Sequence, residues 1–322
     1  MASFERVRQV LNFGRPDRLP VIEWACWWDK TIERWRGEGL PPNVTSMQEI
    51  HDFFGLDVHY QFWLPAKMPG FPGGEGIAGM RDYDEVRKYL YPSKLFEPRD
   101  VEKAVAARDR GEAFIWLTLE GFFWFPRTVL GIEKHFYSFY DIPEVVHAMN
   151  RDLLEHHQRS VDEFCTVCIP DFVTFAEDMS YNHGPMLSKN LFDEFMAPYY
   201  LKIVPKLREY GIIPIIDSDG LIDDLVPWFE EVGVDGFLPL EKQAGVDIVR
   251  LRERHPRLRV IGGFDKMVMS KGEAEMRAEF ERLLPVIEQG GYIPSVDHQT
   301  PPGVSLENYR IYIRLLKEYA GV

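Results

Sequence analysis

From Ile142 to its C-terminus the chain alternates helical spacing with short apolar or β-branched runs, and few folds accept that pattern. Ile142 to Cys165 is helical, and Asp171 to Asp178 then reads as a strand. Ser188 caps a helix running to about Glu209, and the run Ile212 to Ile216 follows. Leu221 to Val232 is helical, Gly236 to Glu241 strand-like, Asp247 to Glu253 a short helix and Leu258 to Phe264 a strand. Lys271 to Glu288 is an amphipathic helix, Tyr292 to Val296 a strand, and Ser305 to Tyr319 a closing helix with its own cap. Strands separated by helices of ten to twenty residues build βαβ units, and therefore a parallel sheet.

Two earlier runs, Leu19 to Ala25 and Ala113 to Leu119, raise the count to seven strands, and Leu56 to Trp63 can hide an eighth. Eight such units predict an α/β fold of the (β/α)8 TIM-barrel type. No glycine-rich phosphate loop follows the first strand, so a dinucleotide fold lacks its main signature. The whole chain reads as one barrel domain with an N-terminal helical or loop elaboration. Residues 55–109, rich in Pro and Gly, form an elaborated region expected over the barrel mouth.

A net charge of −14 opposes nucleic-acid binding, which needs a basic face. No apolar run is long enough to span a membrane, and residues 1–20 read as an amphipathic helix and a proline-bounded turn rather than a signal peptide. Three cysteines, Cys26, Cys165 and Cys168, cannot form a disulfide framework, so a cytoplasmic location is expected. Cys165 and Cys168 spell C-x-x-C without a second pair, and packing is the better reading. His156 and His157 lie mid-helix and are expected to be solvated.

In a barrel of this type the active site lies at the C-terminal strand ends. Those ends carry Glu23, Glu120, Glu177, Asp178, Asp217, Asp219, Glu241, Asp265, Asp297 and His298. Bland readings stand beside the functional ones: Asp219-Gly220 can be a turn that caps a helix from Leu221, and Glu177 and Asp178 can be loop acids in ion pairs. His183 lies in a loop after a strand, in Ser180-Tyr181-Asn182-His183. Trp24 and Trp28 follow the first strand, and Phe122-Phe123-Trp124-Phe125 the next; core packing accounts for some of them, but together they suit a bulky planar substrate.

Several ordered motifs resemble the uroporphyrinogen decarboxylase superfamily. Glu5 to Pro20 is similar to its entry helix and "D-R-x-P" turn. Glu177-Asp178-Met179 with Gly184-Pro185-Met186-Leu187-Ser188 resembles its "E-D…G-P-M-x-S" segment. Gly262-Gly263-Phe264-Asp265, Gly290-Gly291-Tyr292 and Pro302-Gly303 with Glu307-Asn308 continue the match in order. The resemblance implies a (β/α)8 barrel. Decarboxylases of the family carry an arginine-rich "M-R-Q-A-G-R-Y" stretch, which here is Glu23-Trp24-Ala25-Cys26-Trp27-Trp28-Asp29. That departure points to the other branch, the cobalamin-dependent methyltransferases.

Thiol-methylating members hold zinc through "H-x-C-G" and a distal Cys. Asp217-Ser218-Asp219-Gly220 occupies the first position, and His298 the second. The resemblance thus implies a divalent metal, zinc first among candidates, on Asp217, Asp219 and His298, with Glu177, Asp178 and His298 in catalytic roles. Carboxylates in place of thiolates harden the site and widen its choice of ion. Trp24, Trp28, Phe123, Trp124, Tyr181, His183, Glu241 and Asp265 would bind a small substrate, such as a methoxylated aromatic. A corrinoid would arrive on a partner protein and accept the methyl group, as in O-demethylation. A decarboxylase acting on a porphyrinogen or another carboxylated substrate is the alternative, and a homodimer is compatible with either.

Overall fold

The computed structural model describes all 322 residues. Seven strands form one sheet: β1 (Val58–Trp63), β2 (Ala113–Glu120), β3 (Phe172–Ala176), β4 (Ile213–Asp217), β5 (Gly236–Leu238), β6 (Arg259–Phe264) and β7 (Tyr292–Val296). They lie side by side in chain order, and every pair is parallel. Helices Pro143–Cys165, Ala197–Glu209, Glu273–Gln289 and Leu306–Ala320 are among those that pack around the curled sheet, giving a TIM-barrel-like α/β fold.

The expected first strand, Leu19 to Ala25, is not one. Its residues run extended across the seam between β7 and β1 without forming a ladder. The Val21 carbonyl accepts from the Asp57 amide at 2.8 Å. On the other side the Trp24 indole donates to the Val296 carbonyl at 2.8 Å, and Trp27 forms a single parallel bridge with Thr300. Pro20 lacks an amide proton, and Cys26 sits at φ 64°, so regular pairing fails at both ends of the segment. The hidden strand in Leu56 to Trp63 is real: it is β1. Residues 55–109 also hold helices Met80–Arg87 and Pro98–Asp109.

Ser188 and Ser305 cap their helices, accepting from the Leu191 and Asn308 amides. The first of these stops at Phe195 and restarts as Ala197–Glu209, because Pro198 cannot continue the hydrogen-bond ladder. His156 and His157 are buried, not solvated: their Nε2 atoms meet the carbonyls of Pro65 at 2.9 Å and Glu120 at 2.8 Å. Cys165 and Cys168 are free thiols, and burial pushes both up, Cys165 to about 11. No helix is long and apolar enough to cross a membrane.

Candidate active site at the strand ends

Strand periodicity of two decides what points into the barrel. The register aligns Trp116, Phe172 and Ile213 in one row, Thr118, Thr174 and Ile215 in the next, and Glu120, Ala176 and Asp217 in the third. Trp116, Phe172, Ile213 and Ile215 share an apolar cluster with Ile261, Ile293 and the N-terminal Val7, Val10 and Leu11, which fills the lower interior. Above it Gln61 donates to the Thr118 hydroxyl at 2.8 Å, which is 2.8 Å from that of Thr174. Carboxylates crown the same face. The interior therefore grades from hydrocarbon to hydroxyl to acid toward the C-terminal ends.

At that end four titratable groups, Asp178, Asp217, Asp219 and His298, draw near one another. Asp219 Oδ2 stands 3.5 Å from His298 Nε2, and this contact raises the imidazole above its ordinary value. The Trp24 ring meets His298 edge-on at 6.4 Å, with the indole pinned to Val296. Asp178 Oδ1 accepts a long 3.4 Å bond from the Asp219 amide. Burial, then the Asp219 charge, raises the Asp178 carboxyl. Asp217 is half-buried on the inward row of Glu120 and Ala176, and its carboxyl makes no hydrogen bond to the protein. Burial first, and then Asp178 and Asp219, raise it well above the usual carboxylate range.

Local backbone shapes the cluster. Gly220 has φ 84°, and a Cβ there would lie 2.6 Å from the Tyr181 amide nitrogen. Only glycine lets the Asp217–Gly220 loop close against the hairpin Ser180–Tyr181/Gly184–Pro185. The helix after this loop begins at Leu225 rather than Leu221, so Asp219 caps nothing and its carboxylate turns to His298.

Other expected site residues have structural duties. Glu177 is fully buried: its oxygens accept the amides of Phe122, Phe123 and Trp124 at 2.8–3.1 Å and the Tyr200 hydroxyl. Burial pushes it to about 7 against the pull of those donors, and with its acceptor positions filled it is a clamp rather than a catalytic acid. Phe123 is core, packed on His135. Trp124 is half-buried beneath the Arg127 guanidinium. Asp265 caps the short turn Lys266–Val268 and accepts from Gln243. Trp28, Tyr181 and His183 are exposed, and only Tyr181 and His183 touch one another. The residues expected to form an aromatic wall are therefore divided: Phe123 is core, Trp24 and Trp124 are half-buried, and Trp28 and Tyr181 are exposed.

Lys266 and Arg127 escaped sequence reading. Lys266 Nζ lies 3.4 Å from both Glu241 Oε1 and Asp297 Oδ1, and Arg127 donates to the Asp178 carbonyl at 3.2 Å. Neither is near its partners in sequence, so no spacing rule exposes them.

A divalent ion needs three or more converging donors here. The donor chemistry is suitable, but no three His, Cys, Asp or Glu side chains converge as ligands of one ion. Asp219 and His298 form a pair, while Asp217 bonds to neither. As placed, the three do not fit the expected zinc centre.

The fold and the cluster define a TIM-barrel-like protein with a polar site at the C-terminal strand ends. The family model for uroporphyrinogen decarboxylase (URO-D) matches residues 130–319, more than half of the chain, and the chain belongs to that family. No curated protein matches the sequence. Among solved structures it is similar to a methyltransferase from Methanosarcina mazei, with a TM-score of 0.66, 14% identity and 99% of each chain covered. It is also similar to a glycoside hydrolase family 5 mannosidase from Rhizomucor miehei, at TM-score 0.49 and 11% identity over 95% of this chain and 93% of that one.

Proposed function

We propose that the chain is a methyltransferase that moves a methyl group from a small methylated substrate to a corrinoid carried by a partner protein. The observation that carries this reading is the Asp219–His298 pair near Asp217, at the C-terminal strand ends of a barrel in this family. The similar Methanosarcina protein, called a methyltransferase, supports it. The corrinoid supplies the electron pair that accepts the methyl group. This chain holds the substrate and supplies a proton. As the bond from methyl to its heteroatom breaks, the heteroatom keeps the bonding pair and takes a proton from the Asp219–His298 pair or the Asp217 carboxyl. Asp219 raises the His298 imidazole above its ordinary value and orients it, and Trp24 meets the ring edge-on. Decarboxylation of a polycarboxylate fits poorly: Lys266 is committed to Glu241 and Asp297, Arg127 faces the Asp178 backbone, and the unpaired carboxyls would repel such a substrate.

The test is anaerobic. Purified protein is mixed with reduced cobalamin, as a surrogate acceptor, and a panel of methyl ethers and methylamines, and loss of the reduced corrinoid absorbance is followed. The expected result is substrate-dependent loss, slowed about 100-fold or more in His298→Gln. Loss at an equal rate in that variant would remove His298 from the mechanism. Carbon dioxide release from a porphyrinogen without methyl transfer would replace the reading altogether.

A further inference from the structure

Glu120 is the buried acid that the mechanism leaves idle. It is 7% exposed, and its Oε2 has no hydrogen-bond partner. Burial raises its carboxyl; Lys67 opposes this by charge, yet no ion pair joins the two. A partnerless buried carboxylate oxygen costs free energy unless something docks against it. Glu120 continues the inward series Phe114, Trp116, Thr118, so the oxygen faces the barrel mouth. Asp217 stands in its row, separated only by Ala176. Two strand spacings put the backbones of the two acids about 10 Å apart, and alanine leaves the space between them clear.

Trp63 is the second observation. It closes the inward series His59, Gln61, Trp63 on the neighbouring strand, and Gln61 is bonded to Thr118 inside the barrel. Yet Trp63 is 50% exposed, a large indole left in water at the mouth. The register pairs Trp63 with Thr118, so on the same face its ring lies diagonal to Glu120 across the two strands. An indole next to an unpaired carboxylate is the pairing that recognises an alkylated ammonium, by ring quadrupole and opposite charge together.

We infer that Trp63 and Glu120 form a subsite for an alkylated ammonium group of the substrate. This rests on the proposed reading only in taking Asp217, one row position beyond Ala176, as the reacting end. A substrate with its ammonium at Glu120 and its methylated atom at Asp217 bridges that gap and is held at both ends. Such a substrate is a small amino-functional molecule rather than an uncharged methoxylated aromatic.

The test is a binding measurement that does not depend on methyl transfer. Choline and its uncharged carbon isostere dimethylbutanol are titrated into the whole protein by calorimetry, with Trp fluorescence as a second signal. Choline is expected to bind at least 10-fold more tightly than the isostere. Glu120→Gln should lose that preference with an unchanged melting temperature, and Trp63→Leu should weaken choline about 10-fold while Trp63→Phe retains most of it. Equal affinities for the two probes, no binding of choline, or unchanged binding in Glu120→Gln would each overturn the subsite; the carboxylate would then serve only as counter-charge to Lys67. If choline binding behaves as expected but no methyl transfer occurs, the subsite stands and the proposed reaction falls.

Discussion

Glu23→Gln should make the protein markedly more resistant to alkaline unfolding while leaving it nearly unchanged in mild acid. Glu23 is fully buried at the seam, where one oxygen accepts from the Ser295 hydroxyl at 3.0 Å and the other from Tyr309 at 3.1 Å. Burial raises the carboxyl from an ordinary 4.5 to about 8, against the pull of those two donors. Between these values the folded state holds a proton that the unfolded chain releases. The neutral acid's stabilisation is therefore fully present below about pH 4.5 and lost as pH rises toward 8. At about 1.4 kcal/mol per pH unit the upper bound on that loss is about 5 kcal/mol, and relaxation around the buried group brings the expectation to about 2–3 kcal/mol. Glutamine cannot ionise, keeps an acceptor for one hydroxyl and offers an N–H to the other. Urea unfolding at pH 5, 7 and 9 checks this: the two proteins should agree within about 1 kcal/mol at pH 5, and the variant should lead by several at pH 9. A difference that stays flat, or that falls with pH, would refute the claim that burial holds Glu23 neutral.

Further outcomes follow from the same geometry. Asp219→Asn should lower the His298 titration midpoint seen by proton NMR, since the contact that raises it is lost, and the alkaline limb of any activity should move down in pH with it. Gly121→Ala should cost a few kcal/mol in thermal unfolding, because its Cβ would sit 2.2 Å from the Glu177 carboxyl carbon and 2.6 Å from the Ala176 oxygen. Glu177→Ala should destabilise by about 3 kcal/mol or more, because the Phe122, Phe123 and Trp124 amides lose their acceptor in a dry interior. Chelator treatment should leave the melting temperature unchanged; a drop restored by zinc would mean that Asp217 swings to join Asp219 and His298.

The barrel was readable because its strands are short, apolar and regularly spaced, and β2 to β7 fall where the alternation puts them. The seam was not: Leu19 to Ala25 has strand composition, but Pro20 and the left-handed Cys26 deny it a ladder, and only the tertiary fold shows what replaces it. Acids at strand ends could be counted, but their fates could not. Asp219 and Glu177 look alike in sequence; one meets a histidine 79 positions away and the other a turn more than fifty residues back. Aromatic residues misled for a related reason, since Phe122 and Phe123 fill the core while Trp63, on a strand read only as hidden, stays in water. Glu120 already stood among the strand-end acids, and extending the period-two reading by one step on β1 would have set Trp63 beside it.

Asp219 and His298, beside Asp217, are proposed as the working end of a methyl-transferring site. The most direct measurement is the initial rate of methyl transfer to reduced cobalamin across pH for wild type, Asp219→Asn and His298→Gln. Wild type should show an alkaline limb above the ordinary imidazole value, shifted downward in Asp219→Asn and lost together with most of the rate in His298→Gln. Identical profiles in all three proteins would contradict it.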